Sequence, residues 1–155
     1  MEDASIRSAH SCDLQKINQV IQSAVMNWPM PDRVKRLAVP VLQYHQNDLD
    51  FYEVLVANYK DEVAGVAAWD SMPSQSLPNG KGGVFHGLYV LPLVQRQGIG
   101  KQLMDTVFDD ARTLRSIGLL IKSQRVSRHF FERHQMQSLD VNEDEYPWQY
   151  WKQLA

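Results

Sequence analysis

Apolar residues recur along this chain with two different periods, and the switches between them mark its elements. A short strand is expected over 5–9. Ser11 or Asp13 then caps a segment in which Leu14, Ile17, Val20, Ile21, Ala24 and Val25 fall at helical spacing, the stripe of an amphipathic helix. Pro29 and Pro31 break the chain. A second helical pattern, Val34, Leu37, Ala38, Val41, Leu42 and His45, runs on with Pro40 inside it as an expected kink. Positions 51–58 and 63–69 are rich in β-formers, and the polar Lys60, Asp61 and Glu62 between them complete a hairpin. The Pro-, Gly- and Ser-rich stretch 71–83 reads as a surface loop rather than a domain boundary, and 84–91 as a third strand.

Gly98 opens the clearest helix of the sequence. Ile99, Leu103, Val107, Ala111 and Leu114 share one face, Lys101, Asp105, Asp109, Arg112 and Arg115 lie elsewhere, and Gly118 is expected to end it. A short buried strand follows over 119–122, then a last short helix over 127–135 carrying Phe130 and Phe131, then a turn-rich segment with a final strand around 148–151. The order is a strand, two helices, three antiparallel-looking strands, then helix, strand, helix and strand. It specifies an α+β architecture, a mixed sheet with helices on its faces.

The 155 residues and 17.9 kDa suit one domain with one core over 1–155. With 44% hydrophobic and 22% charged residues the chain is expected to fold on its own. Sixteen Lys and Arg against eighteen Asp and Glu leave a net charge of -2, which gives no bulk attraction to phosphate backbones or anionic lipid. Neither nucleic acid nor a membrane is an expected partner. Cys12, the single cysteine, cannot form an intramolecular disulfide, and Met1-Glu2-Asp3-Ala4 lacks the basic, then apolar, start of a secretory leader. Apolar runs such as 63–69 fall short of the roughly 18 residues of a spanning helix. A cytoplasmic protein is the expectation. His10, His45, His129 and His134 are scattered and Cys12 has no ligand-spaced partner, so no metal site is expected. No G-x-S-x-G elbow is present, which argues against a serine hydrolase.

The chemistry concentrates in 88–103, where a strand ends at Pro92 and enters a helix through a turn with Gly98 and Gly100. A helix N-terminus leaves about four backbone N–H groups unpaired, and glycines let an anion such as a diphosphate approach them; Arg96 and Lys101 add positive charge. A P-loop would need Gly and Ser or Thr where Gln95 and Gln102 stand, and a dinucleotide fingerprint would need Gly at Leu103. Both readings fail.

The segment does resemble the acyl-CoA-binding core of the GCN5-related N-acetyltransferases (GNAT), whose signature [Q/R]-x-x-G-x-[G/A] follows a strand ending in V-x-P. Gln95, Gly98 and Gly100 fill that signature, and Val90 and Pro92 supply the strand end. The resemblance covers 51–136 in order, and the run Ser127-Arg128-His129-Phe130-Phe131-Glu132-Arg133-His134-Gln135-Met136 is similar to the family's A-x-x-F-Y-x-x-x-G-F helix. It implies a GNAT-like fold, α+β with a central, mostly antiparallel mixed sheet flanked by helices. It also implies acetyl-CoA as cosubstrate. The main chain of Leu88, Tyr89 and Val90 would pair with the pantetheine arm, a backbone N–H there would face the thioester oxygen, and Gln95, Arg96, Gln97, Gly98, Ile99, Gly100 and Lys101 would hold the diphosphate. Gln124 stands where members often have Asn and could hydrogen-bond the pantetheine.

For the base, members often carry Glu or His on the strand before the signature. His86 occupies such a place, and its ordinary pKa near 6.5 suits taking a proton at neutral pH. Glu53 on a neighbouring strand is a second candidate, and a histidine with no catalytic role is the bland one. The chain departs from the family where many members have a Tyr thought to protonate the leaving thiolate, because Phe131 has no proton to give. The usual Gly is replaced by Gln135. Phe131 could pack on the pantetheine, while Tyr89, Ser127 or a water supplies the proton, or the thiolate leaves unaided.

In this fold the acceptor usually enters between the first two helices and the last strands. Here those places hold Trp28, Pro29, Met30 and Pro31, and Tyr146, Trp148, Tyr150 and Trp151. Such aromatics could line a pocket for an apolar or cationic amine, fill the core, or form the seam of a homodimer. Glu143, Asp144 and Glu145 could attract a cationic amine or form a solvated turn. The resemblance implies an N-acetyltransferase acting on a small-molecule or peptide amine, with His86 as base. The alternatives are a CoA-binding sensor or interaction module with little transferase activity, and an acyltransferase for longer chains.

Overall fold

The computed structural model describes residues 4–72, 82–123, 127–134, 136–139 and 148–154. Along the chain run β1 (Ser5–Ser8), α1 (Leu14–Met26), α2 (Asp32–Leu42), α3 (Gln46–Phe51), β2 (Glu53–Tyr59), β3 (Glu62–Asp70) and β4 (Gly83–Val90). They are followed by α4 (Ile99–Thr113), β5 (Gly118–Ser123), α5 (Arg128–Glu132), β6 (Gln137–Leu139) and β7 (Trp148–Gln153). The strands form a seven-stranded sheet in the order β1-β2-β3-β4-β5-β7-β6. It is mixed, with β4 and β5 parallel and the pairs β1–β2, β5–β7 and β6–β7 antiparallel. The α+β class expected from the order of elements is the class observed. Two compact units divide the chain, Met1–Ala68 with Gly87–Val107, and Trp69–His86 with Phe108–Ala155.

In the first unit, α1 lays its stripe of Ile17, Val20, Ile21, Ala24 and Val25 into a core shared with Val54, Val56, Val63, Val66, Ala68 and Tyr89. Asp13 precedes the helix, but its side chain does not cap it as the sequence suggested; it ties the helix start back to β1 instead. The Arg7 guanidinium donates to both carboxylate oxygens at 2.8 Å, and the His10 N–H donates to Oδ2 at 2.8 Å. These bonds, led by the one from Arg7, hold the Asp13 carboxyl down at about 2. The β2–β3 hairpin turns on Lys60 and Asp61, at φ 52° and 65°, the left-handed pair that a two-residue turn demands.

The second helix corrects the sequence pattern. Val34, Leu37 and Val41, expected on the buried face, are 42%, 66% and 81% exposed, while Lys35 is buried and Ala38, Val39 and Leu42 pack inward. The reason is polar. Lys35 Nζ donates to the Met26 carbonyl at the end of α1 (2.9 Å) and pairs with Asp32 (3.1 Å), a favourable place for a cation that turns this face of α2 inward. The helix also stops at Leu42, since Gln43 is extended, and His45 begins the unexpected α3.

In the second unit, β4 and β5 pair in parallel from Gly83↔Leu119 to Phe85↔Ile121. Val84, Leu120 and Trp151 form one core cluster, and Phe85 meets Phe108 and Phe131 edge-on with ring centroids 6.4 and 6.1 Å apart. Gly118 does not end α4. Arg115 takes the left-handed position at φ 62°, its N–H donating to the Arg112 carbonyl while the Ser116 N–H donates to Ala111, a Schellman cap. Gly118 opens β5 instead, and is glycine because the Trp151 ring lies 2.1 Å from where a Cβ would stand. Leu114, expected on the buried face, is 56% exposed past the end of the helix. Of the C-terminal aromatics, Tyr150 and Trp151 are core residues and the Trp148 ring is covered by the Arg128 guanidinium at 5.1 Å. Gln124, Gln135, Glu143, Asp144, Glu145, Tyr146 and most of the loop 71–83 lie outside the described residues.

Candidate functional site

The turn between β4 and α4 is built by side chains that bind it back to the strands. The Leu91 N–H donates to the Ala64 carbonyl (2.8 Å), and Pro92–Val94 make a single tight turn. Gln95 Nε2 donates to the Val90 carbonyl at 3.0 Å, and the Tyr59 hydroxyl at the end of β2 donates to Gln97 Oε1 at 2.9 Å. Both glutamine side chains thus hold the turn. Arg96 between them takes φ 64° and Gly98 takes φ 85°, two left-handed residues that swing the chain into α4.

The Gln102 N–H donates to the Gly98 carbonyl (2.9 Å) as the first α-helical bond. The N–H groups of Ile99, Gly100 and Lys101 therefore have no carbonyl one turn back, and they carry the positive end of the helix dipole. Space in front of this turn is open, with no atom within 4 Å of where a Gly98 Cβ would stand. Ile99 is buried, as is Leu103, and both press on Gly65 of β3, where a Cβ would meet Leu103 Cδ1 at 2.9 Å and Ile99 Cγ2 at 3.3 Å. Ile99 can offer a ligand its main chain only. Arg96 and Lys101 are exposed, and Lys101 Nζ is paired with Asp105 at 2.6 Å along the helix surface.

Leu88, Tyr89 and Val90 close β4, beyond the three residues that enter the parallel register with β5. Leu88 and Val90 are half-buried and Tyr89 is buried. Gly87 before them is pressed by the hydroxyl of Tyr44, a buried residue whose phenol burial pushes well above its usual range. His86 stands exposed on the same strand, and Glu53 exposed at the start of β2. In the second unit Phe131 is 5% exposed, ringed by Phe85, Phe130 and Tyr150. Tyr150 donates its hydroxyl to Glu132 Oε1 (2.9 Å); burial first, then that bond, pushes the phenol up to about 12. Ser127 is half-buried at the N-cap of α5. Among the described residues no three His, Cys, Asp or Glu side chains gather as they would around a metal ion, and no helix is long and apolar enough to cross a membrane.

The model of the acetyltransferase (GNAT) family matches residues 18–136. The chain belongs to the GNAT family. Solved GNAT structures share its fold over nearly its whole length. PaiA N-acetyltransferase from Thermoplasma acidophilum, in complex with coenzyme A, is 13% identical with a TM-score of 0.82, covering 98% of this chain and 99% of that one. A GNAT family acetyltransferase from Brucella melitensis, in complex with acetyl-CoA, is 18% identical with a TM-score of 0.69 over 100% of this chain and 90% of that one. An N-acetyltransferase from Staphylococcus aureus is 18% identical with a TM-score of 0.65 over 99% and 100%. Among curated proteins no sequence matches.

The GNAT resemblance had singled out the turn, and the structure brings Gln95 through Lys101 together there. It gives no hint of the supports behind it, Tyr59, Gly65 and Tyr44. Two glycines inside strand patterns, Gly65 and Gly87, are the available signal, since a strand-interior glycine marks a close approach of other groups.

Proposed function

We propose that this GNAT chain is an acetyl-CoA-dependent N-acetyltransferase that transfers an acetyl group to a primary amine of a small molecule or peptide, by direct attack in a ternary complex. One observation carries the reading. The open, left-handed Gly98 leads into a helix start whose free N–H groups are flanked by exposed Arg96 and Lys101, a cradle fitted to a diphosphate. Acetyl-CoA supplies the acetyl group as a thioester.

The residues divide the remaining work. The main chain of Gln95 to Lys101 takes the diphosphate, and that of Leu88, Tyr89 and Val90 the pantetheine arm, with an N–H directed at the thioester oxygen. The amine nitrogen attacks the thioester carbon, its N–C bond forming as the C–S bond breaks. One amine proton passes to His86, directly or through water, or to Glu53 in the second assignment. The sulfur leaves as a thiolate, and because a simple thiol has a pKa of about 8.5 it can depart without a tyrosine at 131. The family resemblance assigns Gln124 and Phe131 to the pantetheine, although the Phe131 ring is buried among Phe85, Phe130 and Tyr150. A second reading, a CoA-binding sensor or interaction module, draws support from Phe131, a proton-less ring in the helix where a donor is common among relatives.

Calorimetric titration with acetyl-CoA tests both, with Gly98→Glu alongside to fill the cradle with a carboxylate. We expect binding by the native chain and its loss in the variant, then acceptor-dependent CoA release from a panel of amines that His86→Ala slows while leaving acetyl-CoA affinity nearly unchanged. Binding without any acceptor-dependent release favours the sensor. No binding by the folded native chain removes the transferase reading.

A further inference from the structure

Tyr44 sits in the three-residue connection between α2 and α3, where a side chain has little to hold it, yet it is fixed at both ends. Asn18 of α1 clamps its backbone. The Tyr44 N–H donates to Asn18 Oδ1 at 2.9 Å, Asn18 Nδ2 donates to the Tyr44 carbonyl at 2.8 Å, and Gln43 Nε2 donates to the Asn18 carbonyl at 3.2 Å. The Tyr52 ring stands edge-on to the phenol ring, with centroids 6.4 Å apart. At the far end the Tyr44 hydroxyl lies 2.8 Å from the point a Gly87 Cβ would occupy, and the same point is 2.9 Å from Tyr89 Cε2 and 3.5 Å from the Tyr89 hydroxyl. Tyr44 is 2% and Tyr89 8% exposed.

A glycine inside a strand normally loosens it, because the backbone gains freedom and no side chain packs. At Gly87 the vacated space is taken by a phenol delivered from another element. The next residues are Leu88, Tyr89 and Val90, whose main chain the proposed function gives to the thioester and pantetheine.

We propose that Tyr44 is a positioning residue. Its hydroxyl, set by the Asn18 clamp, fills the gap at Gly87 and holds the backbone of Leu88 to Val90 in the geometry that polarises the thioester carbonyl. The kinetic part of this inference rests on the transferase reading; the structural part does not. Misplacement of a polarising group by about 1 Å costs on the order of 10–100-fold in rate without requiring any loss of ground-state binding.

The test uses the full chain and two readouts, amide hydrogen exchange by NMR and steady-state acetylation with kcat and KM separated. Tyr44→Phe keeps the ring and removes only the oxygen. We expect faster exchange at Leu88 and Tyr89 with the α1 amides unchanged, and a kcat lower by about tenfold with acetyl-CoA affinity within about twofold of native. Asn18→Ala releases the clamp and reproduces both effects. Gly87→Ala, which drives a methyl against the hydroxyl, is less damaging on the Tyr44→Phe background than on the native one. A role in stability alone would lower the melting temperature and speed exchange everywhere without that split between kcat and affinity, and this result overturns the proposal. Native exchange at Leu88 and Tyr89 in Tyr44→Phe overturns it as well. A native chain that binds no acetyl-CoA refutes the transferase reading instead, and the exchange data then decide the role of Tyr44 alone.

Discussion

Arg96 and Gly98 share a left-handed backbone, but only one of them is suited to it. A side chain at φ 64° meets its own carbonyl oxygen, at a cost on the order of 1 kcal/mol that glycine escapes. An exposed arginine retained in such a position is strained where the chain could relax, and its charge beside the cradle is the reason we assign to it. Arg96→Gly should therefore have effects of opposite sign. Urea unfolding should show the variant more stable by about 0.5–1 kcal/mol, and calorimetry should show weaker acetyl-CoA binding. A variant that binds as well as the native chain would strip Arg96 of its part in anion binding. At this scale the sequence was legible in chemistry and silent on conformation: the glycine pattern named the turn, but nothing local marks Gln95 and Gln97 as its tethers, because their partners, Val90 and Tyr59, are brought to them by the fold.

Among elements, the tie between β1 and α1 is the one most open to a pH experiment. Asp13 is held down at about 2 by the two-pronged bond from Arg7, against about 3.9 when unfolded. A depressed carboxyl stabilises the fold above its unfolded pKa, and that contribution disappears as pH falls from about 4 to 2. Asp13→Asn should cost about 1–2 kcal/mol at pH 7, allowing for solvent around the half-exposed Arg7. The gap to the native chain in denaturant melts should close towards pH 2; a gap constant over that range would show that the charge of Asp13 contributes nothing. Element type was largely readable. The stripe of α1 meets one surface, so periodicity and burial agree. In α2 they part because Lys35 finds a helix C-terminus to cap, a partner no periodicity encodes, and the apolar row of Val34, Leu37 and Val41 is left outside. Gly118 misled for a related reason: its partner is the Trp151 ring of a distant strand, while Arg115 took the turn a glycine was expected to make.

For the molecule as a whole, a net charge of -2 cannot draw in the polyanion we propose as cosubstrate, so any attraction has to be local to the turn. There the Lys101 ammonium is partly neutralised by Asp105. Acetyl-CoA affinity should fall as salt is raised from low to physiological strength, where screening acts within about 8 Å. Asp105→Asn, by freeing Lys101, should tighten binding at low salt by about two- to fivefold, as expected for an exposed pair worth under about 1 kcal/mol. Unchanged affinity in titrations of that variant would leave Lys101 without a role in phosphate binding. The fold was legible because the order of elements and one signature agreed. The acceptor was not, since Tyr150 and Trp151 went into the core.

Gly65 sets a limit on how this site can change. The first turn of α4 rests on β3 through Ile99 and Leu103, so a larger residue at 65 presses first on the end of the Leu103 side chain, and one too bulky for that side chain to yield to pushes on the turn itself. Affinity for an anion can be adjusted in small steps through Arg96, Lys101 and Asp105. The seating of the cradle is set instead from behind, by a residue that acts on the turn only through Leu103 and Ile99.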